Sequence, residues 1–90
     1  MTYRPPLVAL DYETECDGLP SLEYWHPNFR ATSAAFSWRS SQGELRHVFC
    51  AGEKEIAEKL REVQNLQLQL CCHNLQFEVG VTKCRFPWFD

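Results

Sequence analysis

Leu7-Val8-Ala9-Leu10-Asp11-Tyr12-Glu13-Thr14 is the stretch from which the rest of the chain is read. Four apolar residues run into an acid, and a second acid follows two positions later. A short apolar run bounded by polar residues fits a strand buried on both faces. Side chains at i and i+2 of a strand share a side, so Asp11 and Glu13 project together from its end. Two carboxylates held that close repel unless a cation lies between them or one takes up a proton. Carboxylate oxygens suit Mg2+ or Mn2+. Two readings of this stretch stand side by side: half of a metal site, and a strand that ends in solvent at two polar residues.

Working outward, Pro5 and Pro6 cannot donate to a sheet ladder, so the strand starts at about Leu7. Glu15 to Ser21 is turn-rich, with Asp17-Gly18 and Pro20. Ser21 to Trp25 reads as a short helical turn capped by Ser21, ended by His26-Pro27-Asn28-Phe29. Arg30 to Ser40 is a second strand, with Thr32, Ala34, Phe36 and Trp38 on one parity. Ser41-Gln42-Gly43-Glu44 is a hairpin turn, and Leu45 to Cys50 returns antiparallel as a third strand. Glu53 to Asn65 is the clearest helix: Ile56, Ala57, Leu60 and Val63 fall at helical spacing. Its charged positions read as a solvated face, with Glu55 and Lys59 at favourable i,i+4 spacing. Leu66 to Cys72 alternates as a fourth strand, and Leu75 to Lys83 is a helix with Asn74 as its N-cap. Gly80 and three β-branched neighbours make that helix weak by propensity. The aromatic end, Phe86 to Phe89, is expected to be packed. The order strand-strand-strand-helix-strand-helix gives an α/β fold with a mixed sheet.

Ninety residues hold at most one domain, and 44% hydrophobic with 13% aromatic residues exclude a disordered chain. No apolar run approaches the length of a membrane span, and the first residues lack the apolar core of a signal peptide. Five cysteines without disulfide-framework spacing suit a reducing compartment, so the expected location is cytoplasmic, with no membrane partner. A net charge of −3 argues against a broad basic surface for duplex DNA. It is compatible with a nucleic acid held through metal ions.

The second informative stretch is His73-Asn74-Leu75-Gln76-Phe77-Glu78, which follows a strand and opens a helix. Glu78 falls on the first turn, near the expected end of the first strand. It reads either as a third carboxylate for Asp11 and Glu13 or as an acid favoured by the helix dipole.

Together the two stretches resemble the first and second motifs of the DEDD 3′–5′ exonucleases. The nearest likeness is the proofreading exonuclease domain of bacteriophage family A DNA polymerases. Trp25-His26-Pro27-Asn28-Phe29 also resembles those domains, and the likeness covers Leu7 to about Phe86. It implies a ribonuclease H-like fold, here a single partial domain over residues 1–90, truncated at the C-terminal end. It implies two-metal hydrolysis of a DNA 3′ end, with Mg2+ or Mn2+ ions about 4 Å apart. Asp11, Glu13 and Glu78 would be the catalytic metal ligands, with Glu78 where aspartate is usual. Thr14, Asn74 and Phe77 would bind the terminal nucleotide. The implied partners are a single-stranded DNA 3′ end and the remainder of a polymerase chain, in the host cytoplasm if phage-encoded. The family's third motif, a tyrosine or histidine with a final aspartate, has no counterpart here. The isolated chain is therefore expected to be weakly active or inactive.

Other classes remain open. Cys71, Cys72, His73 and Cys84 gather zinc-ligand types, but adjacent strand residues point to opposite faces. Those cysteines read as mostly core and sheet residues, and Cys16 and Cys50 as having no obvious partner; a cysteine nucleophile paired with His26, His47 or His73 is a further alternative that no spacing singles out. A non-catalytic module of degenerate exonuclease shape could stack single-stranded nucleic acid on Tyr24, Trp25, Trp38, Trp88 or Phe89, or bind a partner protein.

Overall fold

A computed structural model describes residues 7–72 and 75–89. The elements run β1 (Leu7–Cys16), β2 (Leu19–Pro20), β3 (Phe29–Arg39), β4 (Leu45–Ala51), α1 (Gly52–Asn65), β5 (Gln69–Cys72) and α2 (Leu75–Arg85). β1 is the hub of the sheet. β3 pairs antiparallel along its whole length on one edge, and β4 pairs antiparallel with β3. The other edge of β1 is shared. β5 pairs parallel with Leu7 to Leu10, and β2 pairs antiparallel with Glu15 and Cys16. Residues 11–14 lie between these two partners, in a notch of the sheet. Among the described residues, the fold is a mixed α/β sheet of five strands with two helices.

Both helices lie on one side of this sheet. Val8, Leu10 and Tyr12 from β1, Ala34 and Phe36 from β3, and Cys50 from β4 form one core with Ile56, Leu60 and Val63 of α1. Val81 of α2 and Phe86 complete it. This corrects the expectation that β1 is buried on both faces. Leu7, Ala9, Asp11 and Glu13 are exposed, because no helix covers their side. The face continues through Leu45, His47 and Phe49 of β4, all exposed.

The parity of β3 also differs from the expected alternation. Phe29, Ala31 and Ser33 are buried, and then Ala34 and Phe36 are. A bulge between Glu13 and Thr14 shifts the β1–β3 register, so Thr32 points outward while Ala34 points in.

Helix α1 ends where its pattern predicts, but β5 starts later than Leu66. Gln67 takes a φ of 54°, its N–H donates to the Gln64 carbonyl, and the Leu68 N–H reaches back to Val63. This is a Schellman ending, built on glutamine where glycine is usual. The Ser21 segment forms tight turns and no helix, although the Ser21 hydroxyl does accept the Glu23 N–H at 3.0 Å. Gly80 has a packing reason. A Cβ there would meet the Tyr24 ring at 2.6 Å, closer than atoms can approach. Phe86 is buried and stacks on Tyr12, and Arg61 lies over the Trp88 ring.

The solvated face expected of α1 holds with one exception. Glu53 is half-buried and accepts two hydrogen bonds from Arg85 at 2.7 Å and one from the Ala31 N–H at 2.9 Å. The expected Glu55–Lys59 pair gives way to Lys59–Glu62 at 3.2 Å, with the same ammonium over the Trp38 ring.

Candidate functional site

The notch in β1 positions the candidate site. Opposite β3, the strand loses its parallel partner after Leu10, which pairs with Cys72 at the end of β5. The chain then enters α2, whose first turn carries Glu78. In open α/β sheets, crevices beyond the carboxyl ends of parallel strands are where ligands bind. Asp11 and Glu13 follow directly after the paired part of β1.

Glu78 is 4% exposed, and its Oε2 has no hydrogen-bond partner among the described residues. It lines an apolar cavity of about 250 Å³ with Leu10, Leu70, Cys72, Thr82 and Phe89. Burial pushes its carboxyl up to about 7, and the negative charges of Asp11 and Glu13 add to the rise. The Tyr12 backbone N–H offsets part of it. The same surroundings push the Cys72 thiol up to about 11, first by burial and then by the charge of Glu78.

The helix is anchored behind this carboxylate. The Thr82 hydroxyl donates to the Glu78 carbonyl at 2.8 Å and lies 2.8 Å from the Tyr12 hydroxyl. Thr82 has one hydroxyl proton, so Tyr12 is the donor between them. Burial, eased in part by that bond, drives the Tyr12 phenol well above its ordinary range, so it keeps its proton.

Asp11 and Glu13 stand on the exposed side. Asp11 rims a shallow hollow of about 590 Å³ with Ala9, Ala35, Ser37 and Cys71. The structure therefore gathers the three predicted carboxylates at one notch, close enough to raise the proton affinity of Glu78. It does not close them on one point. Among the described residues, the group whose ligand atoms all lie within 4.8 Å of one another is Cys16, Asp17 and His26. Thr14, expected at a nucleotide, donates its hydroxyl to the Ser21 carbonyl at 2.5 Å. Phe77 is half-buried, with its ring 6.3 Å from that of Tyr24. Asn74 and His73 lie outside the described residues, so the expected N-cap and nucleotide contact do too.

The cysteine expectations change. Cys71 and Cys84 are exposed and Cys72 half-buried, and Cys71 and Cys72 face opposite sides of β5. Cys16 does have a partner: its Sγ lies 3.2 Å from His26 Nδ1. Burial and the charges of Asp17 and Glu23 push its thiol up. Sequence spacing concealed this contact, because ten residues and a turn separate the two side chains.

No family model, curated protein or solved structure matches this chain. Among the described residues, no helix is long and apolar enough to cross a membrane.

Proposed function

We propose that the chain is the front part of a 3′–5′ exonuclease domain of ribonuclease H-like architecture. In this reading it carries the first two motifs of a metal-dependent phosphodiesterase acting on a DNA 3′ end. The observation that carries the reading is the unpartnered, buried Oε2 of Glu78, beside the charges of Asp11 and Glu13. A protein that kept this carboxyl only for packing would gain by replacing it with an apolar residue. The strand order supports the reading: an antiparallel meander with a parallel fourth long strand against the first.

The donor set fits a hard divalent cation, Mg2+ or Mn2+, since all three groups offer carboxylate oxygens. Asp11, Glu13 and Glu78 would hold it, and when bound it would supply Lewis-acid activation of water and of the phosphate. The chain's own part is electrostatic and positional. Asp11, on the rim of the hollow, and Glu13, exposed two residues on, can turn toward an incoming ion. Glu78 keeps a proton near neutral pH until a cation takes its place. In this reading Thr14 would turn its hydroxyl from the Ser21 carbonyl, and Phe77 its ring from Tyr24, to meet a terminal nucleotide. The residues of the third motif would come from the remainder of a polymerase chain.

The test is binding and cutting of a 3′-labelled single-stranded oligonucleotide in Mn2+. The expected result is Mn2+-dependent binding, with slow or no cleavage, abolished by Asp11→Ala. Binding that is equal with and without Mn2+ and in Asp11→Ala would replace this reading with a non-catalytic module that uses the exposed Trp25 ring. A ribo-oligonucleotide run in parallel decides between DNA and RNA.

A further inference from the structure

The far end of β1 carries a second cluster, separate from the carboxylates. Cys16 lies five residues beyond Asp11, about 16 Å along a strand. Asp17 and Gly18 make the two-residue turn into β2, with φ of 54° and 82°, and Cys16 pairs with Leu19 across it. Positive φ at both central residues is the hairpin geometry that Asp-Gly favours. The turn presents Asp17 beside Cys16, and the 24–28 turns bring His26 against both.

Asn28 holds the arrangement together. Its backbone N–H donates to His26 Nδ1 at 3.0 Å, and its side-chain amide donates to Asp17 Oδ1 at 2.8 Å. Asp17 Oδ2 is left turned toward Cys16 Sγ, 3.9 Å away. The Asn28 bond makes Nδ1 an acceptor, and its single in-plane lone pair is shared between the Asn28 N–H and the thiol, so an ion bound at Nδ1 takes the place of the Asn28 hydrogen bond. Sγ and Nδ1 are 3.2 Å apart. Two such atoms bound tetrahedrally to one zinc ion stand about 3.5 Å apart, so a shift of a few tenths of an ångström, with release of the Asn28 N–H from Nδ1, admits the ion.

We propose that Cys16, Asp17 and His26 form a binding site for a thiophilic divalent cation of the zinc class. One sulfur, one imidazole nitrogen and one carboxylate oxygen make a borderline-soft set, unlike the all-oxygen set at the notch. Cys16 and His26 are half-buried and Asp17 exposed, which leaves a fourth position open to water. Binding forms a sulfur–metal bond as the thiol proton leaves to solvent, with no change of oxidation state. The ion would tie the β1–β2 hairpin to the segment that leads into β3. The residues come from two loops ten positions apart, which is why no short cysteine–histidine spacing announces them.

The experiment is a Co2+ titration of the full chain, kept reduced by a phosphine that does not bind the ion. The expected result is a sulfur-to-cobalt charge-transfer band that saturates at one equivalent, with one proton released, and that Zn2+ displaces but Mg2+ does not. Cys16→Ser should abolish the band, and His26→Ala should weaken binding by about tenfold or more. Cys71→Ser and Cys84→Ser should leave it unchanged. Circular dichroism of each variant separates loss of the ion from loss of the fold. Absence of the band at saturating Co2+ overturns the site, as does its survival in Cys16→Ser or its loss in Cys71→Ser. None of these readouts depends on the carboxylate notch, so failure here leaves the exonuclease reading standing, and the reverse.

Discussion

Glu53 and Glu78 each sit in the first turn of a helix, and each is drawn out of water by the same core. Their fates differ. For Glu53, burial pushes the carboxyl up, but hydrogen bonds from Arg85 and from the Ala31 N–H outweigh that and hold it below the usual carboxylate range. For Glu78, burial and two neighbouring acids push the carboxyl up to about 7, and one oxygen has no partner. The first glutamate is a joint between α1, β3 and the end of α2. The second is a carboxyl whose proton the fold holds up to about pH 7 and whose Oε2 is left without a partner among the described residues. Within one small domain the difference separates a carboxylate satisfied by the fold from one whose second oxygen is left for the proposed cation.

The largest expected consequence is opposite pH dependence. Glu78 binds its proton more tightly in the folded chain than in the unfolded one, so stability falls as pH rises from about 4.5 to about 7. The ramp should be about 3 kcal/mol in metal-free buffer, measured by urea unfolding across that range. Glu78→Gln should flatten it. Glu53 contributes in the other direction: its stabilisation is present above its unfolded value and is lost as pH falls through its lowered folded value. If Glu78→Gln leaves the ramp intact, the two glutamates are not the contrast described.

Breaking the joint is the next largest effect. Arg85→Met should cost about 2 kcal/mol, reduced from a fully buried pair because both side chains are about a third exposed, at 33% and 29%. Denaturant midpoints at neutral pH measure it, and a loss near zero would make Glu53 an ordinary surface acid.

Smaller still is the anchor behind Glu78. Tyr12→Phe should cost about 1 kcal/mol, since Thr82 keeps its bond to the Glu78 carbonyl and loses only the phenol. The same variant should leave the pH ramp in place. A lost ramp would mean that the phenol, and not burial with Asp11, sets the proton affinity of Glu78.

The longer elements were legible in the sequence because they rest on local pattern, whereas β2 was read as loop and the Ser21 segment as a helical turn. Leu45 to Cys50 alternates, Ile56, Leu60 and Val63 recur at helical spacing, and Gly43 with φ of 81° marks the hairpin. The side of β1 that the helices cover was not legible. Leu7 and Ala9 are as apolar as Val8 and Leu10, so the run hid which parity faces solvent. The parity rule and the strand-to-helix junction put Asp11, Glu13 and Glu78 in one neighbourhood, and the charges of Asp11 and Glu13 do reach Glu78. Their spread across the notch was not visible, because a side chain's reach is set by the packing around it. The partners Arg85 for Glu53 and His26 for Cys16 lie 32 and 10 residues away, where no local spacing registers them. Gly80 looked like a helix weakness until the Tyr24 ring against it supplied the reason.

The central claim is that the charge of Glu78 awaits a cation shared with Asp11 and Glu13. The most direct measurement is calorimetric titration of the chain with Mn2+ at about pH 6, repeated in buffers of different ionisation enthalpy. Binding should release close to one proton per ion at that pH, fading toward none by about pH 8 as Glu78 gives up its proton unaided. Both the heat and the proton release should vanish in Glu78→Gln and in Asp11→Ala. Mn2+ binding with no proton release, or binding unchanged in Glu78→Gln, would contradict the account.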